Sequence, residues 1–533
     1  MEFSASRLPY RQTNAFSRVC LDYIDQLPAI KPFYQHSPDI KGIQAAVKAR
    51  QAFPTNRKAL HEALQLQYAS VETSQATKDN IASLLEETTF TITTAHQNNI
   101  FTGPLYFIYK IVHAIRLADH LKTTLPGFHF VPVYYIGSED ADLHELNHIW
   151  LSGEKLVWPT QQTGAVGAMK VDKGLLQLLD TISGEVSVLP HGEEIVAIFR
   201  KHYTTGTTIA KATFSVVNEL FAAYGLVVVI PEPAVLKQQM IPVFREELLQ
   251  QTSSPLVEET AVALDKAGYK VQANPRAINL FYLGEGFRER IEQDKDGYKV
   301  VHTNIRFTKE EMLQELEAHP EKFSPNVILR GIYQSTILPD VGFIGGGGET
   351  AYWVQLKSLF IHYNIPFPVL VLRNSFLLVE KKWLARIAKL GFFTEDFFLP
   401  AEELMRRLVA RDSSNSTQLN GSLLELENLY ESFKKQAAAV DGTLEKHVEA
   451  LKSKTVQRLL ELEKKMLRAE KRKFNDEQRQ IHTVKQHLFP GNGLQERVEN
   501  IAWYYGLWGK ELIAQLYKHS PALEQEFTIL TES

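Results

Sequence analysis

Cysteine is nearly missing from this chain. Cys20 is the only one in 533 residues, which excludes an intrachain disulfide and a CxxC metal site and fits a reducing cytoplasm. Long apolar runs are missing too. No stretch reaches the roughly 18 consecutive apolar residues of a membrane span, and the opening MEFSASRLPYRQTNAF lacks the apolar core of an export signal. The expectation is a cytoplasmic protein with no membrane partner. Basic charge is not in excess: 58 Lys and Arg against 62 Asp and Glu give a net charge of -4. That argues against nucleic acid as the main partner, and the run KKMLRAEKRK, which mixes glutamate and apolar residues with basic ones, reads as a solvated helix face. Three motifs are also lacking. No GxGxxG follows the first strand, no GxSxG elbow occurs, and the GGGGE at 345–349 departs from GxxxxGK[ST]. Dinucleotide redox chemistry and nucleophilic hydrolysis by a serine elbow are therefore disfavoured.

What is present is enough chain for more than one core, since a single core rarely outgrows about 250 to 300 residues. Hydrophobic residues at 44% and charged residues at 23% are ordinary for a globular protein. The most informative stretch is 91–142. Phe90 and Ile92 alternate with threonines, as in a half-buried strand. The loop 96–99 follows. Thr102 offers an N-cap hydroxyl and Pro104 suits a first helical turn, while Leu105, Ile108, Val112 and Ile115 recur at helical spacing. The uncharged run 128–136 then reads as a strand buried on both faces. The unit is βαβ, and ligands of such units collect beyond the carboxyl ends of the strands. Those ends carry His96 and Gln97, then Glu139, Asp140 and Asp142, and Tyr106 and Lys110 lie one turn apart on the helix, off its apolar stripe.

A second block covers 323–379. Residues 327–329, 341–344 and 368–373 read as strands, 345–348 as a tight turn and 349–360 as a helix. Arg330, Gln334, Glu349, Arg373, Asn374 and Ser375 fall at or near element ends, where they converge with the first block. Before the βαβ unit, 1–88 reads as a mostly helical lead-in. Between the blocks, 143–205 and 255–320 read as insertions, with a strand at AINLFYL and a mixed-charge loop at 289–299. A helix over TIAKATFSVVNELFAAY leads into the strand LVVVIPEP. From 381 to 510 the composition turns helical. Leu426, Tyr430, Phe433, Ala437, Val440 and Leu444 form a heptad seam, which either folds back at Asp441–Gly442 as a hairpin or runs through as one helix. The helix breaks at Pro490 and restarts, and the aromatic end with Trp503, Tyr504, Tyr505 and Trp508, followed by the tail 511–533, docks on the body. The fold class is α/β: a Rossmann-like, doubly wound parallel sheet core with inserted connecting segments and a C-terminal α-helical coiled-coil domain.

His144, Glu145 and His148 spell HExxH, which in a long helix would place two imidazoles on zinc with the glutamate as base. Ser152 and Gly153 leave little room for that helix and no third ligand stands out, so no metal is expected. The residues alone imply a ligand-binding site suited to transfer chemistry. A zinc hydrolase and a non-catalytic, nucleotide-binding coiled-coil scaffold are the rival readings.

The stretches HQNNIFTGPLYFIYKI, PVYYIGSEDAD, GAVGAMK, YGLVVVIPEP, FSPNVILRGIYQSTILPDVGFIGGGGETAYWVQLK, PFPVLVLRNSFLLV and FPGNGLQER resemble, in order, the cysteine-adding BshC family of bacillithiol biosynthesis. The resemblance implies a core like that of class I aminoacyl-tRNA synthetases and nucleotidyltransferases, a homodimer supported by the coiled coil, and a ligase joining L-cysteine to glucosaminyl-malate through an amide bond. Activation of the carboxylate through ATP is implied by the chemistry. His96, Asp140 and Asp142 are then the expected catalytic residues. Gln97, Thr102, Gly103, Tyr106, Lys110, Glu139, Arg330, Gln334, Glu349, Tyr352, Arg373, Asn374 and Ser375 are the expected substrate- and nucleotide-binding set. The chain departs from the family pattern at Ala95, where glycine is expected before the histidine, and at Ala141, where many members have histidine.

Overall fold

The computed structural model describes residues 2–413 and 419–532. They form two compact units: residues 3–377 with 493–530, and residues 378–492 with the few residues at the chain ends. In the larger unit a parallel sheet is built from β1 (Thr89–Gln97), β2 (His129–Gly137), β3 (Val227–Val229), β6 (Asp340–Gly345) and β7 (Val369–Leu372). A second, antiparallel sheet contains β4 (Leu280–Gly284) and β5 (Phe287–Asp294). The parallel sheet runs β7-β6-β1-β2-β3. From β1 the chain builds outward on one side and later returns to build on the other, so the order reverses between β1 and β6. A crevice opens beyond the strand ends at such a reversal. The Rossmann-like fold expected from the sequence is present.

The strands are parallel because their side chains have two faces to bury. On β1, Phe90 and Ile92 are buried, and so are Thr91, Thr93 and Thr94. The strand is thus buried from Thr89 to Ala95, where alternation suggested half-burial, and only His96 and Gln97 at its end are half-buried. Its hydroxyls are satisfied locally: Thr94 Oγ1 donates to the Ile344 carbonyl at 2.9 Å, and Thr91 and Thr93 share a hydrogen bond of 3.1 Å. Helix α1 (Tyr106–Thr124) joins β1 to β2. It is buried nearly all round from Phe107 to Ala118, the mark of a helix inside a core. Ala114, Leu117 and Leu121 pack there with Phe90, Ile92, Phe130, Ile344 and Val371.

Three local expectations fail. Thr102 does not cap α1. Phe101, Thr102 and Gly103 have φ of 46°, 69° and 61°, three consecutive left-handed residues, so the helix starts only at Tyr106. The run 327–329 is not a strand but the start of α2 (Val327–Ile337), capped by Asn326 Oδ1 on the Ile328 N–H at 2.9 Å. A short apolar run has no period that separates the two states. The mixed-charge stretch 289–299 is a hairpin of β5 with the strand Gly297–Val300, its Ile291, Tyr298 and Val300 buried and its charges outward. The mostly helical lead-in is present, with helices Arg18–Ile24, Ile40–Gln51, Arg57–Tyr68 and Gln75–Ser83 behind an opening strand, Phe3–Pro9, beside the late strand Glu526–Glu532.

The smaller unit contains α3 (Asn420–Val440) and α4 (Leu444–Lys471). They fold back on each other through Asp441, whose carboxylate accepts from Thr443 N and Oγ1 at 2.8 Å each. The hairpin alternative therefore holds. Antiparallel pairing is fixed by Tyr430–Thr455 at 2.8 Å, Lys452–Glu431 at 3.0 Å and Lys434–Glu449 at 3.4 Å. Residues 493–530 belong to the larger unit, where Tyr504, Tyr505 and Trp508 are buried. By contacts the return to that unit falls at 493, earlier than the change at 510 read from composition. Among the described residues no helix is long and apolar enough to cross a membrane.

The tail is anchored by His113 of α1. Its Nδ1 accepts from Asn374 N at 3.1 Å and its Nε2–H donates to the Ala522 carbonyl at 2.8 Å. Burial pushes this imidazole down to about 4. The folded state stays neutral while the unfolded chain binds a proton below about pH 6.5. The stabilisation is therefore complete above that pH and is lost as pH falls toward 4. We expect unfolding free energies at pH 7 and pH 4.5 to differ by about 2 to 3 kcal/mol less in His113→Gln than in the wild type. Equal pH dependence in the two proteins would contradict this.

Candidate active site

The loops after β1, β2 and β6 meet over the reversal point, around a cavity of about 990 Å³. Of the expected catalytic residues, His96, Asp140 and Asp142 all line it. Of the expected binding residues, Gln97, Tyr106, Lys110, Arg330, Glu349, Tyr352 and Arg373 line it as well. The glycines 346–348 bring backbone to the same wall. Behind that wall lies Cys20, 3.6 Å from where a Cβ on Gly347 would stand, its thiol pushed up to about 12 by burial. It is inert packing rather than a nucleophile.

Burial and charge set the chemistry. His96 lies against Tyr106 and Phe107, with ring centroids 5.2 and 5.4 Å away, and its buried Nε2 meets no partner in the protein. Desolvation, reinforced by the cations of Lys110 and Arg373, holds its pKa well below the usual histidine value, so the ring is neutral at neutral pH and resists protonation. Burial raises the Asp140 carboxyl, opposed by Arg288, whose Nη1 is 3.8 Å away, and by Arg330. Lys110 is pushed down by its own burial and recovers part of this from an ion pair with Glu349, while donating to the Ala95 carbonyl at 2.9 Å. Arg373 spreads its guanidinium over the Tyr106 ring at 5.2 Å and pairs with Glu496 at 2.7 Å. Arg330 hydrogen-bonds the Tyr352 hydroxyl.

Six expected binding residues lie outside the cavity lining. Thr102 and Gly103 form the left-handed loop behind Tyr106, where a Cβ on Gly103 would come 2.6 Å from Asn99 Cβ. The loop is held from behind by Asn500, whose Nδ2 donates to the Phe101 and Gly103 carbonyls at 2.9 and 2.6 Å. Glu139 pairs with buried Lys237 at 2.6 Å. Gln334 donates to Asp340 at 3.0 Å, at the opposite end of β6. Asn374 ties down the tail through Ser520 and the Pro521 carbonyl, and Ser375 hydrogen-bonds Glu496 at 3.1 Å. Of these six, Glu139, Gln334, Asn374 and Ser375 use their side chains to brace the site, and Gly103 its backbone carbonyl.

Sequence reasoning missed the opposite wall. Phe281 on β4, Arg288 and Arg290 on β5, the loop residues Asn274 and Arg276, Asn326 before α2, and Arg497 also line the cavity. The signal was present in FRERIEQDKDGYKV, where Arg288 and Arg290 sit two apart on one strand face, and a Lys-Asp-Gly turn marks a hairpin. The HExxH segment does not build a metal site. Leu143–Leu146 is a single helical turn, the His144 side chain is 81% exposed, and His148 already belongs to the next strand. Among the described residues no group of three or more His, Cys, Asp or Glu is arranged to hold a metal ion.

The N-terminal Rossmann-like domain model of bacillithiol biosynthesis BshC matches residues 3–374, and its C-terminal coiled-coil domain model matches 376–532. The chain belongs to the BshC family. A protein named "Putative cysteine ligase BshC" in Flavobacterium johnsoniae is 40% identical over 526 residues, covering 98% of this chain and 99% of the relative. Namesakes in Christiangramia forsetii and Chlorobaculum tepidum are 39% and 32% identical, covering 98% and 89% of this chain and the same shares of their own lengths. In this BshC-family chain the cavity and its bracing come wholly from the larger unit.

Gln334 shows how a bracing residue should differ from a site residue. It joins Ser335 and Arg50 around Asp340, with the Arg50–Asp340 ion pair at 3.0 Å and both side chains fully buried. Asp340→Ala would leave the Arg50 guanidinium buried without its counter-charge. The expected loss is about 3 to 5 kcal/mol of stability, read as a lowered unfolding midpoint in urea. A midpoint within error of the wild type would refute the assignment.

Proposed function

We propose that this chain is a ligase that forms the amide bond between the carboxyl group of L-cysteine and the amine of glucosaminyl-malate, the last step to bacillithiol, in the cytoplasm. The observation that carries the reading is the meeting of His96, Asp140, Lys110 and Arg373, far apart in sequence, on one cavity at the reversal of a Rossmann-like sheet. Family membership and the names of the relatives support the substrates. The charges fit them as well. Both substrates combine amine and carboxylate groups, and the cavity offers Asp140, Asp142 and Glu349 together with Lys110 and several arginines. Arg276 and Arg497 have no ion-pair partner among the described residues.

Amide formation requires an activated acyl group, a base for the amine proton and donors for the oxyanion. We take ATP as the co-substrate that would supply the activation. Two orphaned buried nitrogens, His96 Nε2 and Arg373 Nε, fit a polyanion beside the glycines 346–348. In this reading His96 and Gln97 contact the activated end, and Lys110 and Arg373 neutralise carboxylate or phosphate. Asp142 holds the amine or sugar hydroxyls. Asp140, its basicity raised by burial, takes the amine proton as the new C–N bond forms and the bond from the acyl carbon to its activating oxygen breaks. We further infer a homodimer through the helical hairpin, supported by the apolar side chains that α3 and α4 leave exposed, among them Leu424, Leu429, Phe433, Leu451 and Leu462.

With cysteine, glucosaminyl-malate and ATP, each omitted in turn, mass spectrometry should detect the amide product only in the complete mixture. His96→Ala and Asp140→Asn should each lower kcat by about 100-fold or more. Unchanged rates in both would remove these roles. For the assembly, Phe433→Glu should convert a dimer into a monomer in sedimentation velocity, and a wild type that sediments as a monomer at every concentration would dispose of the dimer.

A further inference from the structure

We propose that Glu496 is a positioning residue, acting through Arg373 on the site assigned above, so that the inference rests on that ligase reading. Glu496 is fully buried and lies 123 residues from Arg373 in sequence. It has no direct place in the cavity lining. Its carboxylate is shared among three donors: Arg373 Nη2 at 2.7 Å and Ser375 Oγ at 3.1 Å on Oε1, and Phe376 N at 3.2 Å on Oε2.

The consequence for Arg373 is orientation. Nη1 donates to the Asn374 carbonyl and to Ser375 Oγ, both at 3.1 Å, so both terminal nitrogens are held by groups outside the cavity lining. The remaining donor, Nε, is buried without a partner, and a Cβ on Gly346 would stand 3.6 Å from it. A planar guanidinium held at one edge presents its other edge in a fixed direction, here toward the cavity wall at Gly346. The same plane covers Tyr106, and Tyr106 abuts His96. Glu496 therefore sets Arg373, the face on which Tyr106 rests, and through it the wall behind His96. The pairing fixes the direction in which the arginine's charge and free donor act, and Arg276 and Arg497 add positive charge along the same cavity.

The test is a double-mutant cycle on the purified full-length protein, with product followed by mass spectrometry and each variant's crystal structure determined. Glu496→Gln should lower kcat about 100-fold with KM changed less than about two-fold, the signature of misplacement rather than lost binding. In an Arg373→Ala background the same change should cost nothing further. Equal losses in both backgrounds, or wild-type kcat in Glu496→Gln, would overturn the proposal. Since an unpaired buried guanidinium threatens folding, Ser375→Ala is measured alongside. It removes one hydrogen bond from each partner and should lower kcat about three- to ten-fold, and wild-type kcat there with an unmoved Arg373 would overturn the proposal if Glu496→Gln does not fold. A wild type that forms no amide defeats the ligase reading. The variant structures then decide positioning: an Arg373 guanidinium turned off the Tyr106 face supports it, and an unmoved one refutes it.

Discussion

A cation taken out of water must find its counter-charge inside the protein, and this constraint organises the larger unit. Four buried cations surround the parallel sheet, and each meets a carboxylate from a distant part of the chain: Lys110 with Glu349, Arg373 with Glu496, Lys237 with Glu139, and Arg50 with Asp340. Such pairs add little net stability over an apolar core of the same volume, yet losing one partner is costly. Their value is specificity of arrangement. A one-residue slip of β6 against β1, or a displaced return segment after 493, would leave a charge stranded in low dielectric. The pairs at the carboxyl ends of the strands define the site, and the Arg50–Asp340 pair, at the other end of β6, holds the register.

This explains which parts of the site were legible from sequence. The βαβ unit announced itself through β-branched alternation, helical spacing and an uncharged run, and its strand-end residues His96, Asp140 and Asp142 all face the cavity. Position relative to a strand end is local information. Whether a side chain there turns toward ligand or toward a brace is not, because it depends on a partner far away in sequence. Glu139 precedes Asp140 immediately, yet it turns to Lys237. Asn374 and Ser375 follow Arg373, yet they hold the tail and Glu496. Local pattern failed in the opposite sense at Val327, where an apolar run too short to show a period was read as strand and is the start of α2.

The segment 495–500 shows the same non-local logic in concentrated form. Six residues, QERVEN, supply Glu496 to Arg373 and Arg497 to the cavity. The Glu499 carboxylate accepts from Ser152 N and Gly153 N at 3.0 and 3.1 Å, and Asn500 holds the loop carbonyls of Phe101 and Gly103. In sequence these are ordinary polar residues between a proline-broken helix and an aromatic end. Three consecutive positive φ values at 101–103 cost free energy and persist only where the surroundings over-determine them. Asn500 is part of that surrounding, and the result is that α1 begins at Tyr106 and delivers Tyr106 and Lys110 together.

The two charged pairs at the cavity wall differ in a way that bears on chemistry. Glu496 is fully buried and hydrogen-bonded by three donors, so Arg373 cannot exchange its partner without unsatisfying several groups at once. Glu349 is 21% exposed, and its other tie is to the Gly346 N–H at 2.8 Å. An entering carboxylate or phosphate can therefore compete with Glu349 for Lys110 at much smaller cost than it could compete with Glu496 for Arg373. The site thus combines a rigid donor with an exchangeable cation. A cavity that must hold an anionic group in one orientation and then release it as product needs both properties, since a fully rigid anion site would retain what it binds and a fully exchangeable one would not orient it.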